Sequence, residues 1–457
     1  LVGKHCFILF PGFAVRRRRL RGFAPVFAAR FRHGFRKEGS PYSGKVIKMT
    51  YSEAKAKLEK YGQEQLLRYY DELSDSEKQA LLDQIDSADM SVVSYYDKRG
   101  EVAPAGHIEP LAAMELDEIR KRSDEFRRIG LDAIRAGKVG AVLLAGGMGT
   151  RLGSDNPKGM YNIGITKEVY IFQRIIENLL DVVNEAESWI HLFIMTSEKN
   201  NEATVNFLRE KKFFGYNEEY VTFFTQEMAP AVDYNGKIFL ETKSRMATSP
   251  NGNGGWFSSM LRCDVVKIAK EAGIEWLNTF AVDNVLQRIA DPVFVGATIN
   301  SGCTVGAKVV KKNAPDERVG VICLKDKHPS IVEYYELTDE LMNAKNEKGE
   351  PAYYFGVILN YLFRLDELIS IAKDKMPLHI VEKKISYYDD ALGKTVKPEK
   401  PNGYKFETLV LDMIQLSESC LPFEVVREKE FAPIKNPTGI DSVESARELC
   451  KACGIEL

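Results

Sequence analysis

Cysteine is scarce, with seven in 457 residues, at positions 6, 263, 303, 323, 420, 450 and 453. The odd number and wide scatter exclude a disulfide framework and point to a reduced, cytoplasmic chain rather than a secreted one. Also missing is any apolar run of the roughly 18 residues that a membrane-spanning helix needs. Neither sign of charge prevails: 63 Lys and Arg stand against 65 Asp and Glu, a net of -2, so the whole chain has no electrostatic case for nucleic acid or an anionic membrane. Internal repeats and long low-complexity tracts are absent too. What is present, 44% apolar and 28% charged residues, is globular and excludes collagen-like, coiled-coil and largely disordered chains. At roughly 100 to 200 residues per domain, the length allows two to four domains.

The charge balance hides an asymmetry. Residues 1–48 hold twelve basic residues, Arg16, Arg17, Arg18 and Arg19 among them, and one acidic residue, Glu38, a local net of +11 against -13 over the rest. This opening starts with Leu1 and has no methionine before Met49, where helical sequence begins at once. An Arg-rich, acid-poor opening suits a transit peptide or a basic arm for nucleic acid. The reading adopted is an extraneous or unfolded segment, 1–48, ahead of a working chain that starts at Met49.

Three further segments follow. Over 49–137 Leu58, Tyr61, Leu66, Leu67 and Tyr70 recur at helix-like intervals, and Ser74 followed by Glu77 forms a capping box ahead of a second helix. These amphipathic helices carry no chemical motif and read as a packing layer. From 138 to 396 short apolar runs at 139–145, 190–195, 221–224 and 277–282 alternate with helical stretches at 169–180, 200–211 and 256–272. That alternation predicts an α/β fold with a mostly parallel sheet covered on both faces. Further apolar runs at 305–310, 319–324 and 331–336 suggest a mixed extension of the sheet. The C-terminal segment is 397–457.

The chemistry concentrates after the first of these strands, in Leu144-Ala-Gly-Gly-Met-Gly-Thr-Arg-Leu-Gly153, followed by Asn156-Pro-Lys-Gly159. Glycines at 146, 147, 149 and 153 let the backbone come close to a ligand and offer N–H groups to phosphate oxygens. Arg151 adds a planar fork and Lys158 a compact cation, so the natural occupant is an anion. No Gly-Lys-Ser/Thr closes the loop and its glycines miss the G-x-G-x-x-G spacing, which counts against a P-loop ATPase and against a dehydrogenase. Phe280-Ala-Val-Asp-Asn284 places Asp283 beyond the carboxyl end of a strand, where open α/β sheets bind ligands, and makes it a candidate Mg²⁺ ligand. The Ser249-Pro-Asn-Gly-Asn-Gly-Gly255 loop could read a base or a sugar edge. A tight turn, a helix cap and a plain loop are the bland alternatives for the three.

Taken together with Gln226, Val332-Glu-Tyr334, Pro401-Asn-Gly-Tyr-Lys405 and Pro433-Ile-Lys-Asn436, these motifs resemble the UTP-dependent sugar-1-phosphate uridylyltransferase family, in its UDP-N-acetylglucosamine pyrophosphorylase branch. The likeness is collinear from about residue 110 to near the C-terminus. It implies a Rossmann-like nucleotidyltransferase core flanked by an N-terminal helical segment and a small C-terminal domain. It also implies that UTP and a sugar 1-phosphate, most readily N-acetylglucosamine 1-phosphate, give a UDP-sugar and pyrophosphate, with Mg²⁺ as cofactor and neither nucleic acid nor membrane as partner. By the resemblance Leu144, Ala145, Gly146, Gly147, Gly149 and Thr150 surround the nucleotide, and Arg151 and Lys158 act on the triphosphate. Gln226 and Gly252 meet the uracil, Asn253, Glu333 and Tyr334 the sugar side, Asp283 the metal, and Lys405 and Lys435 the phosphates. Two departures bear on the sugar: Gly356-Val357 replaces a Gly-Asn pair, and Leu409 and Leu411 replace two phenylalanines.

Such a reaction uses a nucleophile that is already anionic, so no Ser, Cys or His needs activation and catalysis becomes positioning and charge stabilisation. The histidines at 5, 33, 107, 191, 328 and 379 show no metal-ligand spacing, and the lone Cys450-Lys-Ala-Cys453 reads as structural. Competing readings are a non-catalytic UTP or UDP-sugar sensor, a nicotinamide oxidoreductase, a nucleic-acid module resting on 1–48, and the same transfer to N-acetylgalactosamine, glucose or galactose 1-phosphate.

Overall fold

The glycine-bounded apolar run after Lys138 becomes a central strand of a ten-stranded mixed sheet. A computed structural model describes residues 48–98, 106–374 and 376–457, and residues 49–457 form one compact unit. The basic opening, apart from Lys48, lies outside the described residues. In chain order the sheet strands are β1 (Ile108–Pro110), β2 (Val139–Leu144), β3 (His191–Thr196), β4 (Val221–Thr225), β5 (Trp276–Ala281), β6 (Val305–Lys311), β7 (Val321–Lys325), β8 (His328–Val332), β9 (Phe355–Arg364) and β10 (Cys420–Glu424).

Across the sheet the order is β1-β7-β9-β5-β2-β3-β4, with β8 on β7 and β6 between β9 and β10. The β5-β2-β3-β4 block is wholly parallel, whereas β9 runs antiparallel to β5 and β6. All six residues of β2 are buried, as a strand covered on both faces requires. Ala141 and Leu143 enter one apolar cluster, with residues of helices Leu116–Arg135, Ile171–Ala186, Pro292–Ser301 and Val443–Ala452. Val142 and Leu144 enter the other, with residues of helices Trp256–Arg262, Val265–Glu271, Leu365–Ile371 and Val410–Gln415.

The parallel strands fall within a residue or so of their expected positions, and the Ser74–Glu77 capping box opens helix Asp75–Ser87. Three expectations are revised. Helix Tyr51–Glu59 stops before the rest of its apolar pattern, because Gly62 takes φ +63° and the chain continues as short 3₁₀ turns at Glu64–Leu67 and Tyr70–Glu72. The stretch 256–272 is two helices, broken at Asp264, whose φ is +57°. The third predicted extension strand lies earlier, at His328–Val332, as a hairpin partner of β7. The N-terminal helices bury Leu58, Leu81 and Ile85 against Val232, Met246 and Phe406, so they do pack on the body that follows. The C-terminal segment is tied into that body: β10 pairs in parallel with β6, and strand Gly403–Glu407 joins His379–Lys383 and Val232–Asp233 in a small sheet. Among the described residues no helix is long and apolar enough to cross a membrane.

Candidate active site

The loops that follow β2, β3, β4 and β5 all leave the same edge of the parallel block, the edge where doubly wound sheets bind ligands. The glycine loop is held from below. Asn200, fully buried, donates from Nδ2 to the Ala145 carbonyl at 2.9 Å and the Gly147 carbonyl at 3.3 Å, while its Oδ1 accepts the Ser197 N–H at 2.7 Å. Gly149 N–H donates to the Asn156 carbonyl and Lys158 N–H to the Gly147 carbonyl, so the loop folds back on Pro157-Lys158. A Cβ at Gly147 would meet no protein atom within 4 Å, which leaves that backbone open to the cleft. Thr150 and Arg151 are exposed on the 3₁₀ turn Thr150–Leu152, and Arg151 makes no ion pair among the described residues. Lys158 Nζ stands 3.5 Å from Asp283 Oδ2, with only 16% and 22% of the two side chains exposed.

Gln226 follows β4 and is 6% exposed. Its N–H donates to the Thr196 carbonyl at 2.7 Å and its Nε2 to the Gly252 carbonyl, and its Oε1 would lie 2.8 Å from a Cβ at Gly146. One side chain therefore spans the glycine loop after β2 and the Asn-Gly loop. Gly252 has φ +88° and ψ 167°, a region open almost only to glycine, and a Cβ there would sit 2.1 Å from the Thr408 carbonyl oxygen. Gly252→Ala is expected to lower stability by about 1–3 kcal/mol, read from the urea unfolding midpoint. An unchanged midpoint would show that the loop relaxes. Asn253 Oδ1 accepts the Val410 N–H at 3.0 Å, so this residue caps helix Val410–Gln415.

Asp283 is bracketed by buried amides. Gln287 Nε2 donates to the Ala281 carbonyl at 2.7 Å and the Asn284 carbonyl at 3.0 Å, and Ile434 N–H donates to the Asp283 carbonyl at 3.0 Å. Asn284 Nδ2 donates to the Glu430 carbonyl and its Oδ1 accepts the Ala432 N–H, so the strap 430–436 lies along the Asp283 turn. Beneath them Lys308, with none of its side chain exposed, reaches Glu430 Oε2 at 2.6 Å and Asp291 Oδ2 at 3.6 Å. No sequence motif marks Asn200, Gln287 or Lys308. Each is an unremarkable polar residue until the fold buries it.

The remaining candidates lie toward the C-terminal segment. Glu333, half-buried, has its carboxyl pushed up by burial and then by Glu336, with Lys435 and His379 pulling it back. Tyr334 beside it lies 6.0 Å from the Arg318 guanidinium and edge-on to Tyr335. Lys435 pairs with Asp441 at 2.9 Å. Burial pushes the Lys405 ammonium down, and Lys199 and Lys383 add to that. Val357 and Leu411, the apolar replacements, are half-buried against the same core cluster. The histidines divide: burial pushes His191 down to about 4 beside Thr222, and His379 pairs with Asp412. Cys450 is buried and Cys453 exposed, and no set of three or more His, Cys, Asp or Glu able to hold a metal ion occurs among the described residues.

Residues 98–449 match the family described as UTP–glucose-1-phosphate uridylyltransferase, a span that contains every candidate residue above. The chain belongs to this family. Within it, the chain is 37% identical over 406 residues to the UDP-N-acetylglucosamine pyrophosphorylase of Saccharomyces cerevisiae, covering 85% of this chain and 84% of the yeast protein. It is 36% identical over 417 residues to UDP-N-acetylhexosamine pyrophosphorylase-like protein 1 of Mus musculus, covering 85% and 81%. The crystal structure of the uridine diphosphate N-acetylglucosamine pyrophosphorylase from Trypanosoma brucei in complex with inhibitor superposes with a TM-score of 0.75 at 26% identity, covering 87% of this chain and 83% of that one. For this uridylyltransferase-family chain, the expected α/β fold with a mostly parallel core is the fold found.

Proposed function

We propose that this chain transfers the uridylyl group of UTP to N-acetylglucosamine 1-phosphate, giving UDP-N-acetylglucosamine and pyrophosphate. The observation that carries the reading is the glycine loop at the end of β2, with Arg151 exposed on its Thr150–Leu152 turn and Lys158 set against Asp283, in a chain of the uridylyltransferase family. A phosphate oxygen of the sugar 1-phosphate attacks the α-phosphorus of UTP, and the bond from that phosphorus to the bridging oxygen breaks as pyrophosphate leaves. The backbone from Leu144 to Gly149 and Thr150 cradles the nucleotide, and Arg151 and Lys158 meet charge that grows on the triphosphate. Gln226 and Gly252 face the base. Asn253, Glu333 and Tyr334 face the sugar, with Lys405 and Lys435 toward phosphates. Asp283 offers one carboxylate, which suits a hard divalent cation held otherwise by substrate oxygens and water. Mg²⁺ bound there would neutralise phosphate charge and act as template.

The relatives named for N-acetylglucosamine support that sugar, and Val357, Leu409 and Leu411 keep the alternatives open. A cytoplasmic location belongs to the proposal and rests on the few cysteines, six of which are described and all free. Pyrophosphate release is measured with UTP, Mg²⁺ and each of N-acetylglucosamine, N-acetylgalactosamine, glucose and galactose 1-phosphate. Release is expected with the first sugar at kcat/KM at least about tenfold above the others, the scale of one lost polar contact, and is expected to stop when the cation is chelated. Preference for another sugar would reassign the substrate, and no release from protein that binds UTP would favour the sensor.

A further inference from the structure

Helix Val410–Gln415 is fixed from two sides at its first turn. On the base side Thr408 N–H donates to the Asn251 carbonyl at 2.7 Å, Gly254 N–H to the Thr408 carbonyl at 2.9 Å, and Val410 N–H to Asn253 Oδ1. On the other side Asp412, 8% exposed, accepts the Leu409 N–H at 3.2 Å and His379 Nε2 at 2.9 Å, both on Oδ2. The same helix packs on β8, whose last residue precedes Glu333. It therefore joins the Asn-Gly loop to the Glu333-Tyr334 corner, and it carries Leu411, with Leu409 at its cap. The charged groups that face His379 are carboxylates from each neighbouring element: Asp412 on the helix, Glu333 and Glu336 after β8, and Glu407 on the adjacent strand. Lys435 is the further cation near Glu333.

We propose that His379 is a positioning residue for the sugar 1-phosphate, holding through Asp412 the helix that sets Leu409 and Leu411 between the Asn-Gly loop and Glu333. This rests on the uridylyl-transfer reading above. Asp412 is buried, so removal of His379 leaves a carboxylate with the Leu409 N–H and no cation, and the helix must shift or Asp412 must turn outward. Hydrogen bonding to Asp412 holds His379 above its ordinary value, against burial, which pulls it down. A pair of this kind is an ion pair below that raised value and becomes a weaker hydrogen bond from a neutral imidazole to the carboxylate as pH rises through it. The sugar phosphate's own second ionisation, near about pH 6, is over before that window.

The test measures KM for N-acetylglucosamine 1-phosphate and for UTP separately, between about pH 7 and pH 9, in wild type, His379→Ala and His379→Gln, with melting temperatures recorded alongside. In wild type the sugar KM is expected to climb with pH while the UTP KM stays level. His379→Ala is expected to raise the sugar KM about tenfold at the low end, the scale of one charge-assisted hydrogen bond, and to flatten its pH profile. His379→Gln, whose amide still donates to Asp412, should fold, recover most of that KM and keep the flat profile. Equal rises in both KM values, or a sugar KM that is the same in all three proteins, would overturn the positioning role. Wild type that turns over no sugar 1-phosphate is a different result: it overturns the uridylyl-transfer reading, and this inference falls with it.

Discussion

Arg151→Ala is expected to lower kcat by about 10²–10³, the loss seen when one preorganised stabiliser of transition-state charge is removed, with the unfolding midpoint unchanged. The two halves of that expectation come from one observation. Lys158 already leans on Asp283, Lys435 on Asp441 and Lys308 on Glu430, so each of those cations is partly neutralised within the protein. Arg151, exposed and without an ion pair among the described residues, keeps its full charge for what enters the cleft. Its removal breaks no ion pair or side-chain hydrogen bond among the described residues, and surface changes of that kind move stability by no more than about 0.5 kcal/mol. Arg151→Lys should fall between wild type and alanine, because it keeps charge and loses the planar fork. Steady-state pyrophosphate release beside a urea melt measures both, and near-normal turnover in Arg151→Ala would remove the residue from the mechanism.

The second large effect lies where no ligand reaches. Lys308→Ala is expected to cost about 3–5 kcal/mol, because it strands Glu430 as a buried carboxylate without its cation and leaves Asp291 with Arg288 alone. Burial already pushes the Glu430 carboxyl up, and Lys308 is what draws it back. Since Glu430 anchors the strap that carries Ile434 and Lys435 beside Asp283, weaker binding of UTP should accompany the lower midpoint. The paired change Lys308→Met with Glu430→Gln removes both charges at similar volume and should recover most of the stability. If the double variant is as unstable as Lys308→Ala, the cost is one of packing rather than of charge.

How much could be read before any coordinates depended on whether the signal was local. The parallel strands were legible because each is a short apolar run bounded by turn residues, and helix Asp75–Ser87 because its capping box is spelled out in four residues. Strand β9 was not. Phe355–Arg364 is buried on both faces and shows no period of two, and it runs straight into helix Leu365–Ile371, so nothing marks strand against helix. The glycine loop, Arg151, Lys158 and Asp283 stand out as motifs, and the structure brings Lys158 and Asp283 together across 125 residues of chain. The supports did not stand out. Asn200 and His379 act through partners far away in sequence, Gln287 is held by the Asn360 amide from 73 residues on, and their burial follows from packing that no single stretch encodes.

The pairing of β6 with β10 has a consequence for how the protein is made. As the chain leaves the ribosome, Val305–Lys311 can pair with Phe355–Arg364 on one side only, and its other side stays bare until Cys420–Glu424 emerges. The sheet that bears the candidate site is therefore completed on that side by a strand made well after the one it covers. Until then the nascent protein presents an open, apolar strand edge, the kind of surface that chaperones cover and that neighbouring nascent chains can pair with.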